Sequence, residues 1–285
     1  MKKQSNSLRS RLRNFLPPIF EGVVVSLFIL AYVIPIGWIL LTAFKPVDKV
    51  YSLSVFFKPT LENFKVVFST LEGTKSFFPY LLNSLTVTGV TLAITTPVGI
   101  LAAYTLSRFK LRGKHFVLFW ILSTQFVPPI VIVLPFFLMF RNLGLLDSRI
   151  GLIIVNLGYI VPYVVWMSKG FIDSIPTDIE ESARIDGCTR FQVIYKIILP
   201  LAKPGIITSM AFSFVLAWNE FLFALILTNQ TAVTMPVGLM TLSGERGVHW
   251  EQMAAAGLVL IIPPTLFMLY GRKHFVQGLT RGALD

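Results

Sequence analysis

Residues 80–106 read YLLNSLTVTGVTLAITTPVGILAAYTL, without one charged side chain. As a helix at 1.5 Å per residue this run is about 40 Å long, more than the roughly 30 Å hydrocarbon core of a bilayer. Five more mostly apolar runs of span length occur at 20–44, 115–140, 150–171, 205–228 and 253–270. The composition agrees: of 285 residues, 54% are hydrophobic, 14% charged and 25 are Phe, and the mean hydropathy is +0.73. A soluble domain carries about 25% charged residues, so a soluble enzyme, a disordered chain and a disulfide-stapled chain are excluded. The fold class expected is all-α, a polytopic membrane protein with six transmembrane helices. The single cysteine, Cys188, has no intrachain partner.

Six spans put both termini on one side. With the N-terminus inside, 17 of the 25 Lys and Arg fall on cytoplasmic segments, beginning with Lys2, Lys3, Arg9, Arg11 and Arg13. The positive-inside rule therefore predicts both termini to be cytoplasmic in a cell membrane. The net charge of +11 is then a topology signal and an attraction for anionic lipid headgroups, and nucleic acid is not expected as a partner. The first run is too long for a signal peptide and lacks a small-residue cleavage site, which makes it a retained span. This divides the chain into a cytoplasmic tail (1–19), a first span (20–44), an external segment (45–79), a core (80–271) and a cytoplasmic tail (272–285). Pro128, Pro129 and Pro135 are expected to interrupt the third span, Pro162 the fourth, and Pro263 with Pro264 the sixth. Ser84, Thr88, Thr91 and Thr95 share one helical face of the second span, a stripe suited to close helix packing or to a water-filled route.

The segment 172–204 is too polar to span and carries helix signals. Pro176 precedes Thr177, and Thr177 with Glu180 has capping-box spacing for a short helix to about Ile185. Gly187 supplies a left-handed stop. Thr189 and Gln192 form a second box, and Phe191, Ile194, Tyr195 and Ile198 recur at helical spacing up to Pro200, which is expected to end the helix. Two short helices around a glycine corner make a knob. Its acids Asp178, Glu180, Glu181 and Asp186 argue against a helix lying on anionic lipid and for docking to a soluble partner.

Within this knob, Glu181-Ser182-Ala183-Arg184-Ile185-Asp186-Gly187, with Leu199-Pro200 further on, resembles the EAA loop of binding-protein-dependent ABC importer permeases. Ser182 replaces the first Ala of that pattern, and Cys188 stands where Ala is usual. Trp218-Asn219-Glu220-Phe221 and the tail 275–283 resemble the carbohydrate-uptake, maltose-type branch and its six-span partner subunit. The resemblance implies a prokaryotic inner-membrane permease paired with a second, related permease, a dimeric cytoplasmic ATPase and an external solute-binding protein. It implies ATPase-coupling roles for Glu181, Ser182, Ala183, Asp186, Gly187, Phe191, Leu199 and Pro200, a pathway role for Trp218, Asn219 and Glu220, and a scoop-like external loop at 228–252. No cofactor is expected in this chain. Gly113-Lys114 lacks the surroundings of a phosphate-binding loop, so ATP and Mg belong to the partner ATPase, and the chain itself is not expected to be an enzyme. The three His residues, His115, His249 and His274, lack metal-ligand spacing. A stand-alone secondary transporter or channel is the alternative. It calls for ion-coupling residues at mid-membrane, where this chain has almost no charge besides Glu220.

Overall fold

In a computed structural model of the chain, residues 18–69, 76–244 and 247–281 are described. The basic tail up to residue 17, Lys75, Arg246 and the last four residues lie outside them. The described backbone is helical apart from turns and one two-residue hairpin, Ser243–Gly244 against Gly247–Val248. In chain order the helices are α1 (Pro18–Ala43), α2 (Glu62–Phe68), α3 (Phe78–Arg108), α4 (Lys114–Ser123), α5 (Pro129–Leu143), α6 (Arg149–Asp173), α7 (Thr177–Ile185), α8 (Arg190–Val193), α9 (Leu199–Trp218), α10 (Leu222–Leu227), α11 (Met235–Met240) and α12 (Trp250–Arg281). Five continuous helical stretches are long and apolar enough to cross a membrane, and a bent pair makes the sixth.

The prolines do less than expected, with one exception. Pro135, Pro162, Pro263 and Pro264 all sit inside unbroken helices. Among the described spans the third alone is sharply bent, by 90° between Lys114–Phe126 and Pro129–Leu143. The cause is the doublet: Val127 and Pro128 are extended (ψ 117° and 132°), as a residue before proline must be. Pro129 then opens α5, where its missing N–H is not needed. The final helix runs on to Arg281, so the segment expected as a tail from residue 272 is helical as far as residue 281.

The chain divides into two compact units. The first, Met1–Val67 with His249–Leu258, contains α1, whose side chains at 22–36 are all exposed. An apolar helix with no covered face is one that lipid or another chain surrounds. Past its end, Lys45 is fully buried, with Nζ donating to the Ser52 carbonyl (2.8 Å) and lying 4.1 Å over the Trp38 ring. Asn63 fixes the same corner by donating to the carbonyls of Ala43 and Lys45.

The second unit, Phe68–Val248 with Val259–Asp285, is organised on α3 and α6. Asn83 meets Arg149, Gly99 meets Val164, and Arg108 meets Ile172. Both numberings rise together, so the two helices run parallel and in one register along their length. Gly99 is required for it: a Cβ there would come within 2.4 Å of Val164 Cγ1. The stripe of Ser84, Thr88, Thr91 and Thr95 is buried, as expected of small residues that let membrane helices approach closely. Leu92, Phe214 and Trp218 form a further core with Leu260 and Phe267.

Candidate functional site

The knob is built at the C-terminal ends of α3 and α6. Pro176 precedes α7 with no side-chain cap, and Asp178 and Glu180 lie in its first turn. The expected Thr177–Glu180 capping box does not form, because Glu180 is drawn into the interior. At the other end of α7, Gly187 has φ +87°, Cys188 N–H bonds the Ala183 carbonyl and Gly187 N–H that of Arg184. This paired closure needs a residue free of Cβ strain, which is why glycine stands at the corner. The second box is present in full: Thr189 Oγ1 accepts from Gln192 N–H, and Gln192 Oε1 accepts from Thr189 N–H.

After α8 the helix does not stop at Pro200. A π-turn, Ile194–Ile198, joins α8 to α9, with Leu199 N–H bonded to the Ile194 carbonyl. The wider turn accommodates the proline ring that would clash in a regular helix. The expected apolar stripe is therefore divided. Ile198 is buried, whereas Phe191 and Tyr195 are 74% and 67% exposed.

The knob is fixed to the membrane helices by one cation. Arg108, the last residue of α3, pairs through Nε with Glu180 Oε1, and its Nη2 donates to the carbonyls of Ile172 (2.9 Å) and Ile175 (2.7 Å). Tyr104 O–H donates to Glu180 Oε2 at 2.9 Å. Arg108 thus gathers two carbonyls at and just past the end of α6, that of Ile172 also accepting from Ile175 N–H, together with Glu180, the acid of α7 that points inward. Ala103, Ile172, Ala183, Val193 and Ile198 pack around this anchor, and the Arg190 guanidinium lies 5.0 Å from the Phe109 ring. A cleft of about 160 Å³ lies between the end of α3 and the knob, with Glu181 and Arg184 on its rim.

Of the residues singled out for coupling, Glu181, Ser182, Asp186, Gly187, Phe191 and Pro200 are exposed, Leu199 is half-buried and Ala183 is buried. Ser182 Oγ donates to the Asp178 carbonyl. Arg108 and Tyr104 were not singled out by sequence; their partner Glu180 is 72 and 76 residues away, beyond any local pattern.

The Trp218-Asn219-Glu220 stretch breaks the fifth span. Trp218 is 1% exposed, stacks on Phe214 (5.6 Å) and donates through Nε1 to the Leu260 carbonyl (3.0 Å). Its ring belongs to the contact between α9 and α12. Asn219 ends α9, is exposed and donates to the Val215 carbonyl. Glu220 caps α10: Oε1 accepts from Phe223 N–H (2.6 Å) and Oε2 from Ala224 N–H (3.0 Å). Both carboxylate oxygens thus accept from N–H groups of its own chain.

At the opposite end of the α3–α6 pair, the segment after α10 is held by a carboxylate. Asp147, just before α6, accepts from the backbone N–H groups of Asn229, Gln230, Thr231 and Ala232 at 3.0–3.1 Å. Its own N–H bonds the Leu227 carbonyl, and Thr231 Oγ1 donates to its carbonyl at 2.6 Å. It is the one non-glycine residue with positive φ (+52°) among those described. Burial pushes its pKa upward, but the four N–H donors outweigh that and hold the carboxyl well below the usual carboxylate range. Asn83 donates to the carbonyls of Thr231 and Val233 and accepts from Arg149 Nε, and Ser84 Oγ accepts from Met235 N–H.

The profile of the family described as "binding-protein-dependent transport system inner membrane component" matches residues 95–281. The sulfoquinovosyl glycerol transport system permease protein of Agrobacterium fabrum is 33% identical, over 92% of this chain and 92% of that protein. The trehalose/maltose transport system permease protein of Thermococcus litoralis is 32% identical, over 88% of this chain and 90% of that protein. Among solved structures, a chain of a bacterial ABC transporter involved in the import of the acidic polysaccharide alginate superposes with a TM-score of 0.73 at 25% identity, covering 90% of this chain and 95% of that one.

Proposed function

The chain belongs to the binding-protein-dependent transport system inner membrane components, and from that premise we propose that it forms half of the translocation pathway for a sugar-like solute. The other half is a second, related permease. The two permeases sit on a dimeric cytoplasmic ATPase, carrying ATP and Mg, which this chain meets through its knob, and an external solute-binding protein delivers the substrate at the opposite end of the α3–α6 pair. This puts both termini in the cytoplasm, with the segments 45–79 and 228–252 outside.

The observation that carries the reading is the knob, which joins an exposed acidic and apolar tip to a buried base. Glu181, Asp186, Ile185, Phe191 and Tyr195 stand outward, while Ala183 and the Arg108–Glu180 pair tie the base to two membrane helices at once. Closure of an ATPase dimer against such a tip is converted into rigid-body motion of the spans, which exposes a central pathway alternately to the two sides. A sugar-like solute is supported by the substrates named for the relatives, the glycoside sulfoquinovosyl glycerol and the disaccharides trehalose and maltose. In the pathway trio, Asn219 is the member with an exposed hydrogen-bonding side chain to offer a hydroxylated solute.

Gly187→Asp tests the reading. The corner requires φ near +87°, which an aspartate adopts only with strain, and the added charge alters the tip. The complex is expected to assemble in the membrane, with loss of the stimulation of ATP hydrolysis by loaded binding protein. Full stimulation in this variant overturns the coupling role of the knob.

A further inference from the structure

We propose that Asp147 is a positioning residue for transport, which locks the 228–240 segment to the α3–α6 pair so that this segment and the knob, at opposite ends, are carried as one body. The proposal rests on the permease reading above and adds a residue that the sequence patterns do not mark. Four consecutive backbone N–H groups, Asn229 to Ala232, converge on a single carboxylate. A run of N–H groups of this kind is a nest for an anion, and here the anion is part of the chain. Because N–H donors occupy both carboxylate oxygens, the group is not set up as a cation ligand. The left-handed backbone at Asp147 costs energy for a side chain with a Cβ and persists only when the surroundings impose it.

The lock joins the segment to both helices. Asp147 immediately precedes the Ser148 cap of α6, while Asn83 and Ser84 in α3 hold Thr231, Val233 and Met235. The same two helices end at Arg108 and Asp173, and the knob is held there through Arg108 and the Ile172 carbonyl. Between these ends the register is unbroken through Gly99 and Val164. Displacement of the knob is therefore transmitted to the far segment through packed helix, provided that Asp147 keeps the segment seated.

The experiment uses the full complex, reconstituted with its ATPase and binding protein, and compares wild type with Asp147→Ala and Asp147→Asn. Asp48→Asn, an exposed acid of the other unit, serves as control. Amide exchange at residues 229–232 is expected to rise about 100-fold or more in the Ala variant and less in the Asn variant, which keeps one acceptor. The binding-protein concentration for half-maximal uptake is expected to rise about tenfold per assembled complex. On a Cys188→Ser background, a disulfide between Asp147→Cys and Gln230→Cys is expected to restore uptake when oxidised and lose it when reduced.

Faster exchange with an unchanged uptake curve overturns the proposal, as do unchanged exchange and a fall in uptake that only tracks loss of assembled complex. A wild-type complex without ATP- and binding-protein-dependent uptake sinks the permease reading and this proposal together. Normal wild-type uptake with unaltered variants sinks the proposal alone.

Discussion

At the knob end of the α3–α6 pair a guanidinium gathers oxygen atoms; at the other end a carboxylate gathers N–H groups. The contrast follows from the two helices being parallel. Both C-termini fall at the knob, so unpaired carbonyls and the negative ends of two helix dipoles meet there, and a cation suits them. Both N-termini fall at the far end, where an anion suits the positive dipole ends, and Asp147 sits one residue before the cap of α6. An antiparallel pair would have mixed the signs at each end. The lesson is that each loop is fixed by a charge matched to helix direction, although the loops differ in sequence and neither attachment is local.

The largest test of this contrast is Arg108→Ala. It leaves Glu180 enclosed without its cation and takes a donor from the carbonyls of Ile172 and Ile175, so a cost of about 3–5 kcal/mol is expected. Proteolysis within 174–190 should accelerate, and Arg108→Ala combined with Glu180→Ala should recover part of the loss. If the single and double variants unfold the knob equally, the pair is not what ties it down. Asp147→Ala is expected to cost less, about 1–3 kcal/mol, because that site is partly open to water.

The acid response should separate the ends further. Asp147 has a depressed native pKa, so its contribution is complete above the unfolded carboxylate value of about 3.9 and is lost as pH falls through the lower folded value. Amide protection at 229–232 should accordingly persist as pH is lowered from 7 to 4, and early loss would contradict the anion lock. The smallest effect is expected at Glu220→Gln, between the two ends. There a neutral acceptor still caps α10, and about 0.5–1 kcal/mol should be lost without a change in exchange at either anchor.

Much of the fold was legible in the sequence because membrane spans are continuous and local. The runs at 80–106 and 150–171 lie within α3 and α6, and Gly187 and the Thr189–Gln192 box do what their spacing indicated. The failures share one physical form. Pro200 was expected to end a helix, but a π-turn supplies the room that a regular helix lacks. Thr177 and Glu180 had capping-box spacing, yet Arg108 and Tyr104 offer Glu180 a buried charge and a hydroxyl, which outweigh a surface cap. Glu220, open to a pathway or a structural role on sequence alone, accepts the first N–H groups of α10. Long-range partners decided each case, and a single chain written in order does not display them.

The uninterrupted run from Arg190 through the π-turn to Trp218 has a mechanical consequence. At 1.5 Å per residue it is a beam about 43 Å long, with Phe191 at one tip and the Asn219–Glu220 break at the other. A tilt of about 10° around its midpoint would carry each tip roughly 4 Å, in opposite directions, by the geometry of a straight rod of that rise. Because the beam is held to α6 at the Ser168–Ser209 contact and packs on Ala103 and Ile172 through Val193 and Ile198, such a tilt is one that the beam and the α3–α6 pair would make together.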